Sequence, residues 1–500
     1  MGSLTDYLDK GASLGRDAPC LVEGDRTLSY GDVQDLSHRV AGALARDGIK
    51  PGAKVGILSS NNAVAFACVF GIARRGAVWC PINPRNELAE TRALLELFDC
   101  ECLIYHAAYA PMVEQLDVRM KVCLDELADW LDVPGGAAEI ENDLAMLVGT
   151  GGTTGLPKGV MLTSRNLETM TALTLMRYPF TGRPAYLALA PLTHAAGVLC
   201  FPVMTQGGRI VVMPAPDVGE FIALIERERI THTFLPPTLV YMVLAHEAID
   251  TTDLSSLQCF WYGAAPMSTA RLEEALRVIG PMAQLFGQTE APMMVSMLPP
   301  AEHYNADGTV ATKRLASAGR PAPLVTVGIM GPDTGELLPT GERGEIVVRG
   351  SLVMAGYYKN PEATEAASKY GWHHTGDVGY LDEDGYLFIV DRLKDMIITG
   401  GFNVYSAEVE QALMQHPAVR DCAVVGLPDD KWGERVTAVI ESSAEVQPDE
   451  LVAFVKARIG SVKAPKQVEV WQELPRSRVG KVLKADVRTR LLHDQGPPRS

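Results

Sequence analysis

Strand and helix signals that alternate along most of the chain predict an α/β fold, with a large amino-terminal domain of βα-layered sheets and a small α+β domain at the carboxyl end. Three observations carry this expectation. Strand-length and helix-length apolar patterns repeat in turn, the strands read as continuous apolar runs, and the texture changes after about Leu324 and again after Lys394. At 500 residues the chain is also too long for one core.

The first unit of the pattern is KVGILSS at 54–60, a short run with Val and Ile. NNAVAFACVFGIARRG follows with helical apolar spacing, and AVWCPIN is apolar again. ELAETRALLELFDCECLIY gives a helix and then a strand. GRIVVMP, DVGEFIALIERERI and THTFLPP repeat the scheme. Repeated βα units bury parallel strands on both faces, which accounts for the continuous apolar runs. Beyond Leu324, PDTGELLPTGERGEIVVRG and DEDGYLFIVDRLKD read as short strands between Gly-, Asp- and Pro-rich turns. This places a β-rich subdomain at about 324–393, closing a large domain of 1–393. From 394 to 500, SAEVEQALMQHPAV reads as a helix, DCAVVGLPD and RVTAVIES as strands, PDELVAFVKARI as a helix and KQVEVWQELP as a strand. The joint is expected at DRLKD, 391–395.

Hydrophobic residues make up 47% of the chain and charged residues 21%, a soluble globular balance. No apolar run approaches the roughly 18 residues of a membrane span. The first twenty residues carry acids and no apolar h-region, so no signal peptide is expected. Nine cysteines are scattered without a CxxC pair or zinc spacing, which fits buried thiols and a reducing cytoplasm. The net charge of −16 disfavours nucleic acid as a partner. Lys456 to Arg490 nevertheless holds 10 basic against 3 acidic residues. Such a run is usually a solvated helix face; the alternative is an anionic ligand, and the motifs favour it.

The most telling stretch is Val148-Gly-Thr-Gly-Gly-Thr-Thr-Gly-Leu-Pro-Lys-Gly159, which follows the apolar strand LAMLVG. Glycines let backbone N–H groups approach phosphate oxygens. Threonine hydroxyls add donors, and Lys158 adds positive charge. It is not a Walker A loop, because Pro157 precedes the lysine and Gly159 follows it. From Thr150 to Gly159 the segment resembles the signature of the adenylate-forming family, which holds acyl- and aryl-CoA synthetases, adenylation domains and beetle luciferases. Two departures stand out: Gly149 stands where the family has an aromatic, and Gly151 where it has a serine. The missing hydroxyl leaves one donor fewer for pyrophosphate.

The resemblance continues in family order along nearly the whole chain. It implies that Thr150, Gly151, Gly152, Thr153, Thr154, Gly155 and Lys158 cradle the phosphates of ATP. Pro191-Leu-Thr-His-Ala-Ala-Gly197 is similar to the P-x-x-H-x-x-G segment, which sets His194 beside the substrate carboxylate. A lone His near an apolar helix is more often structural, and only the ordered motif favours function. Tyr262-Gly-Ala-Ala-Pro266 resembles the adenine-edge segment, giving Gly263, Ala264 and Ala265 to the purine. Leu285-Phe-Gly-Gln-Thr-Glu290 resembles Y-G-x-T-E: Phe286 stacks on adenine with Gly287 and Gln288, Thr289 meets the α-phosphate, and Glu290, with Thr154, holds Mg²⁺. Trp372-His-His-Thr-Gly-Asp377 gives Asp377 to the ribose hydroxyls. Asp391-Arg-Leu-Lys-Asp395 resembles the hinge motif, with Arg392 on ribose or phosphate and Lys394 as the residue whose backbone turns. Gly400 and Gly401 border the pantetheine tunnel. Pro475-Arg-Ser-Arg-Val-Gly-Lys481 is similar to the catalytic-lysine motif. The family's architecture adds a small distorted β-barrel to the large domain and makes the carboxy-terminal domain mobile.

The implied reaction is AMP-forming acid:CoA ligation, with ATP, Mg²⁺ and coenzyme A. Substrate-facing candidates in HAAGVLCF, WYGAA and LFGQTEAPMMV are apolar or small beyond His194 and Glu290, and no Asp waits there for an amino-acid ammonium group. An apolar carboxylic acid is therefore expected. Alternatives are an enzyme loading a phosphopantetheinyl carrier protein and a catalytically silent binding protein of the same fold. No membrane span is expected, a homodimer is left open, and the location is read as cytoplasmic.

Overall fold

The computed structural model describes residues 3–132, 143–150, 157–192, 195–332, 334–476 and 482–494. The chain packs as two compact units, one of residues 1–327 and 348–373, the other of 328–347 and 374–500. The expected joint at 391–395 thus lies inside the second unit, because packing groups strands of the β-rich segment with the carboxy-terminal residues.

The first unit holds two large sheets. One has seven strands, in the order 356–357, 158–163, 144–150, 78–82, 54–58, 100–105 and 120–123. Its predicted βα core is present: Lys54–Leu58 pairs in parallel with both Val78–Ile82 and Cys100–Tyr105. The other has nine strands, and Arg209–Val212, Ala185–Ala188, His232–Leu235, Cys259–Gly263 and Met282–Gln288 run parallel through its centre. Between strands 54–58 and 78–82 runs the helix Ala63–Arg74, capped by Asn62, whose side chain accepts from Ala65 N at 2.9 Å. Its residues from Ala65 to Ala73 are all buried. Phe66, Phe70 and Ile72 each contribute about 1.5–3 kcal/mol by leaving water. Gly71 permits the close approach of helix Tyr30–Arg46, since a Cβ there would stand 2.4 Å from Val40.

In the second unit the β-rich segment forms a four-stranded sheet in the order 326–330, 344–349, 373–381, 387–392. The carboxy-terminal residues form a second sheet in which Val419–Asp429 and Gly433–Ser442 pair antiparallel, and Gln467–Trp471 joins Gly433–Ser442 in parallel. The helices Ser406–Leu413, Pro448–Ile459 and Lys484–Asp494 accompany it. All nine cysteines are free. Among the described residues no helix is long and apolar enough to cross a membrane.

Candidate functional site

The phosphate-loop motif sits on a hairpin. Leu144–Thr150 and Lys158–Thr163 pair antiparallel, with Thr150 opposite Lys158 and Gly149 opposite Gly159. Thr150 Oγ1 donates to Lys158 O at 3.4 Å. Gly151, Gly152, Thr153, Thr154 and Gly155 lie outside the described residues. At Gly149 a Cβ would fall 2.6 Å from the end of the Leu94 side chain, which would have to shift to admit one.

Lys158 and Glu290 come together through a residue that sequence reasoning missed. The Lys158 Nζ lies 4.8 Å from the centroid of the Tyr357 ring, and Tyr357 OH donates to Glu290 Oε1 at 2.8 Å. Tyr357 is fixed by its strand, Gly356–Tyr357, which pairs antiparallel with 158–163. Burial, and then the Glu290 charge, push its hydroxyl well above the usual range, so it stays a donor. Glu290 itself belongs to the two-residue turn Thr289–Glu290, closed by Gln288 opposite Ala291 between Met282–Gln288 and Ala291–Leu298. The ladder shifts register at Gly287, where a Cβ would be 2.3 Å from Met293 N. Phe286 is half-buried, and Gln288 Oε1 lies 3.3 Å from His373 Nε2.

At the end of strand Cys259–Gly263 the backbone is strained. Gly263 admits no side chain, since a Cβ would meet Leu285 O at 2.4 Å. Ala264 carries φ +66°, an uncommon value for a residue with a Cβ, and is exposed, with Ala265 half-buried beside it. Residues held this way concentrate at ligand-binding segments, which fits the adenine-edge expectation.

His194 lies outside the described residues, but the approach to it is firmly held. Asn61, also missed from sequence, donates to Leu189 O and Ala190 O at 3.2 Å each and accepts from Leu192 N at 2.8 Å. The helix Ala195–Thr205 then starts in the core, with Phe201 fully buried and stacked on Tyr7. Trp261 is likewise buried, edge-on to Tyr178. These two side chains belong to packing, whereas half-buried Met293, at φ +63°, remains beside the Thr289–Glu290 turn.

In the second unit Asp377 and Arg392 are ladder partners, and Arg392 Nε lies 2.6 Å from Asp377 Oδ1. Asp377 is 4% exposed, so a ribose here would meet an already oriented carboxylate. Lys394 is exposed in the turn Leu393–Asp395. Gly400 and Gly401 form the two-residue hairpin between Ile397–Thr399 and Phe402–Val404, both with positive φ, the backbone a tight hairpin of this kind requires. Lys481 lies outside the described residues.

Among the described residues no group of three or more His, Cys, Asp or Glu side chains is gathered to hold a metal. Glu290 fits Mg²⁺ in donor chemistry all the same. Tyr357 engages one oxygen, a carboxylate offers about four lone-pair positions, and Mg²⁺ commonly takes one or two carboxylates with substrate phosphates.

This fold and this order of residues define an acid-activating, nucleotide-dependent ligase. The model for the AMP-binding enzyme matches residues 8–358, and that for the AMP-binding enzyme C-terminal domain matches 408–481. The chain is 37% identical to the medium/long-chain-fatty-acid–CoA ligase FadD8 of Mycobacterium tuberculosis, over 96% of this chain and 88% of that one. It is 36% identical to a feruloyl-CoA synthase of an Amycolatopsis species, over 96% and 97% respectively. The amide bond synthetase McbA from Marinactinospora thermotolerans superimposes with a TM-score of 0.90 at 30% identity, covering 98% of this chain and all of that one. The chain belongs to the AMP-binding enzyme family. Its class is that of the ATP-dependent, AMP-forming acyl-CoA synthetases.

Proposed function

We propose that this enzyme joins an apolar carboxylic acid, fatty, alicyclic or aryl, to coenzyme A in two steps. A carboxylate oxygen first attacks the α-phosphorus of ATP; the bond to the β-phosphate oxygen breaks, and pyrophosphate leaves. The CoA sulfur, giving up its proton, then attacks the acyl carbon, and AMP leaves with the bonding pair. A free carboxylate is a poor electrophile, and the mixed anhydride supplies the leaving group it lacks.

The observation that supports this most directly is the line Lys158–Tyr357–Glu290, which sets a cation and a carboxylate at the base of the phosphate-loop hairpin. Lys158 and the Thr150 end of the loop bind phosphate, and Thr289 meets the α-phosphate. Glu290 and Thr154 would hold Mg²⁺, which would neutralise phosphate charge when bound. Ala264, Ala265 and Phe286 take the purine, and Asp377 with Arg392 the ribose. His194 orients the acid. Lys481 serves the first step, in which negative charge gathers on phosphate oxygens. A fixed donor there is worth about 3–4 kcal/mol. Gly401 serves the second, leaving room for the pantetheine arm. A hinge at Lys394 lets one site meet each in turn.

The apolar character of the substrate rests on HAAGVLCF and EAPMMV, which carry no charge apart from Glu290. A panel of carboxylates with ATP, Mg²⁺ and CoA, following AMP release, tests the proposal. Turnover is expected with apolar acids and not with amino acids. No AMP from any acid would end it. The likeness to an amide bond synthetase supports one second reading, transfer of the acyl group to an amine; replacing CoA by amines in the same assay separates the two.

A further inference from the structure

Among the charged pairs of the second unit that the proposed reaction leaves without a task, one is largely withdrawn from water and linked to a further carboxylate. Lys484 Nζ lies 2.8 Å from Glu410 Oε1 and donates to Ser406 Oγ at 2.6 Å. Ser406 Oγ donates in turn to Asp391 Oδ2 at 2.7 Å, and Ala407 N donates to the same oxygen at 3.2 Å. Glu410 Oε1 also accepts from Val424 N at 2.7 Å. Ser406 and Asp391 are buried, and the Lys484 and Glu410 side chains are about one-fifth exposed. Burial disfavours the Lys484 ammonium, but Glu410 and then Asp391 outweigh it and hold its pKa above the usual lysine value. An ion pair withdrawn from water adds little net stability, yet it fixes direction.

The place of Lys484 gives that direction a use. Leu483 N donates to Pro475 O at 2.8 Å, and Arg476 and Val482 form an antiparallel bridge. Arg476 is pinned from the other side, to Asp421 Oδ2 at 2.7 Å and Glu441 Oε1 at 2.9 Å. The two flanks of 477–481 are thus closed on each other, and Lys484 stands immediately beyond the closure. Through Ser406 it reaches Asp391, neighbour of Arg392.

We propose that Lys484 is a positioning residue for acyl-AMP formation, its ammonium fixed by Glu410 and Ser406 to set the base from which Lys481 is presented. This rests on the reading in which Lys481 serves the first half-reaction. The test compares acid-dependent ATP–pyrophosphate exchange, thioester formation from supplied acyl-AMP, and Tm in the full chain. Lys484→Met is expected to lower kcat for exchange about tenfold or more, since misplacement by about an ångström can cost a hundredfold. KM for acid and ATP should stay within about threefold, thioester formation within about twofold, and Lys484→Arg should recover most of the exchange. Because Lys484→Met strands the Glu410 charge, the double variant Lys484→Met/Glu410→Met carries the test if the single one unfolds. Its exchange should remain about tenfold down at a wild-type Tm. Equal loss of both half-reactions, or wild-type exchange in either folded variant, overturns the inference. Lys481→Ala separates the two ideas: if it keeps forming acyl-AMP, the assignment of Lys481 to the first step fails and takes this inference with it. If Lys481→Ala loses that step while Lys484→Met does not, the inference alone fails.

Discussion

Two sets of charged residues, one in each unit, are held in opposite ways. In the first unit a neutral ring stands between cation and carboxylate: Lys158 rests against the face of Tyr357, and Glu290 takes its hydroxyl. In the second, opposite charges touch directly, Arg392 on Asp377 and Lys484 on Glu410. A spacer keeps two charges near one another without mutual neutralisation, so both remain available for phosphate and for a cation. Direct contact spends that availability on position. Under the proposed function the difference teaches that the first arrangement suits receiving charge, and the second aiming it.

The largest expected effect tests the aiming. Lys481→Ala should cut acyl-AMP formation by roughly 10²–10³ in kcat while supplied acyl-AMP still becomes thioester, both read as single half-reactions. Unchanged adenylation in the folded variant would remove the second unit from the first step. A smaller effect is expected in the other half-reaction at Gly401, whose φ of +81° and open surroundings separate shape from strain. Gly401→Leu should slow thioester formation about tenfold or more. Gly401→Asn, a residue that tolerates left-handed backbone, should slow it less at a similar Tm. Equal slowing by both would point to backbone rather than bulk. The smallest effect belongs to the spacer. Tyr357→Phe removes one hydrogen bond, about 0.5–1.5 kcal/mol, so adenylation should fall by no more than about tenfold with a raised Mg²⁺ requirement. Since the Tyr357 hydroxyl titrates above its ordinary value, wild-type adenylation should show no loss attributable to it up to about pH 10. A tyrosine-like step below that, absent in Tyr357→Phe, would contradict its donor role.

Much of this was legible in the residues. The strands over 54–60, 208–214 and 231–237 and the helix after Asp217 appear at Lys54–Leu58, Arg209–Val212, His232–Leu235 and Val218–Arg227, because apolar runs and turn residues declare themselves locally. Asp377 and Arg392, named from separate motifs, prove to be ladder partners. Tyr357 and Asn61 were not legible, since their partners stand 67 and more than 120 positions away and neither lies in a motif. Asn61 had one overlooked signal, its place just before a helix cap. The grouping of 328–347 with 374–500 was hidden for the same reason: it is set by packing across the sequence, whereas texture changes only along it.

The antiparallel closure of Thr150 on Lys158 has one more consequence. With Thr150 and Lys158 held as ladder partners, the sheet itself meets the entropic cost of bringing the two flanks together, and so fixes where the chain leaves the hairpin and where it returns.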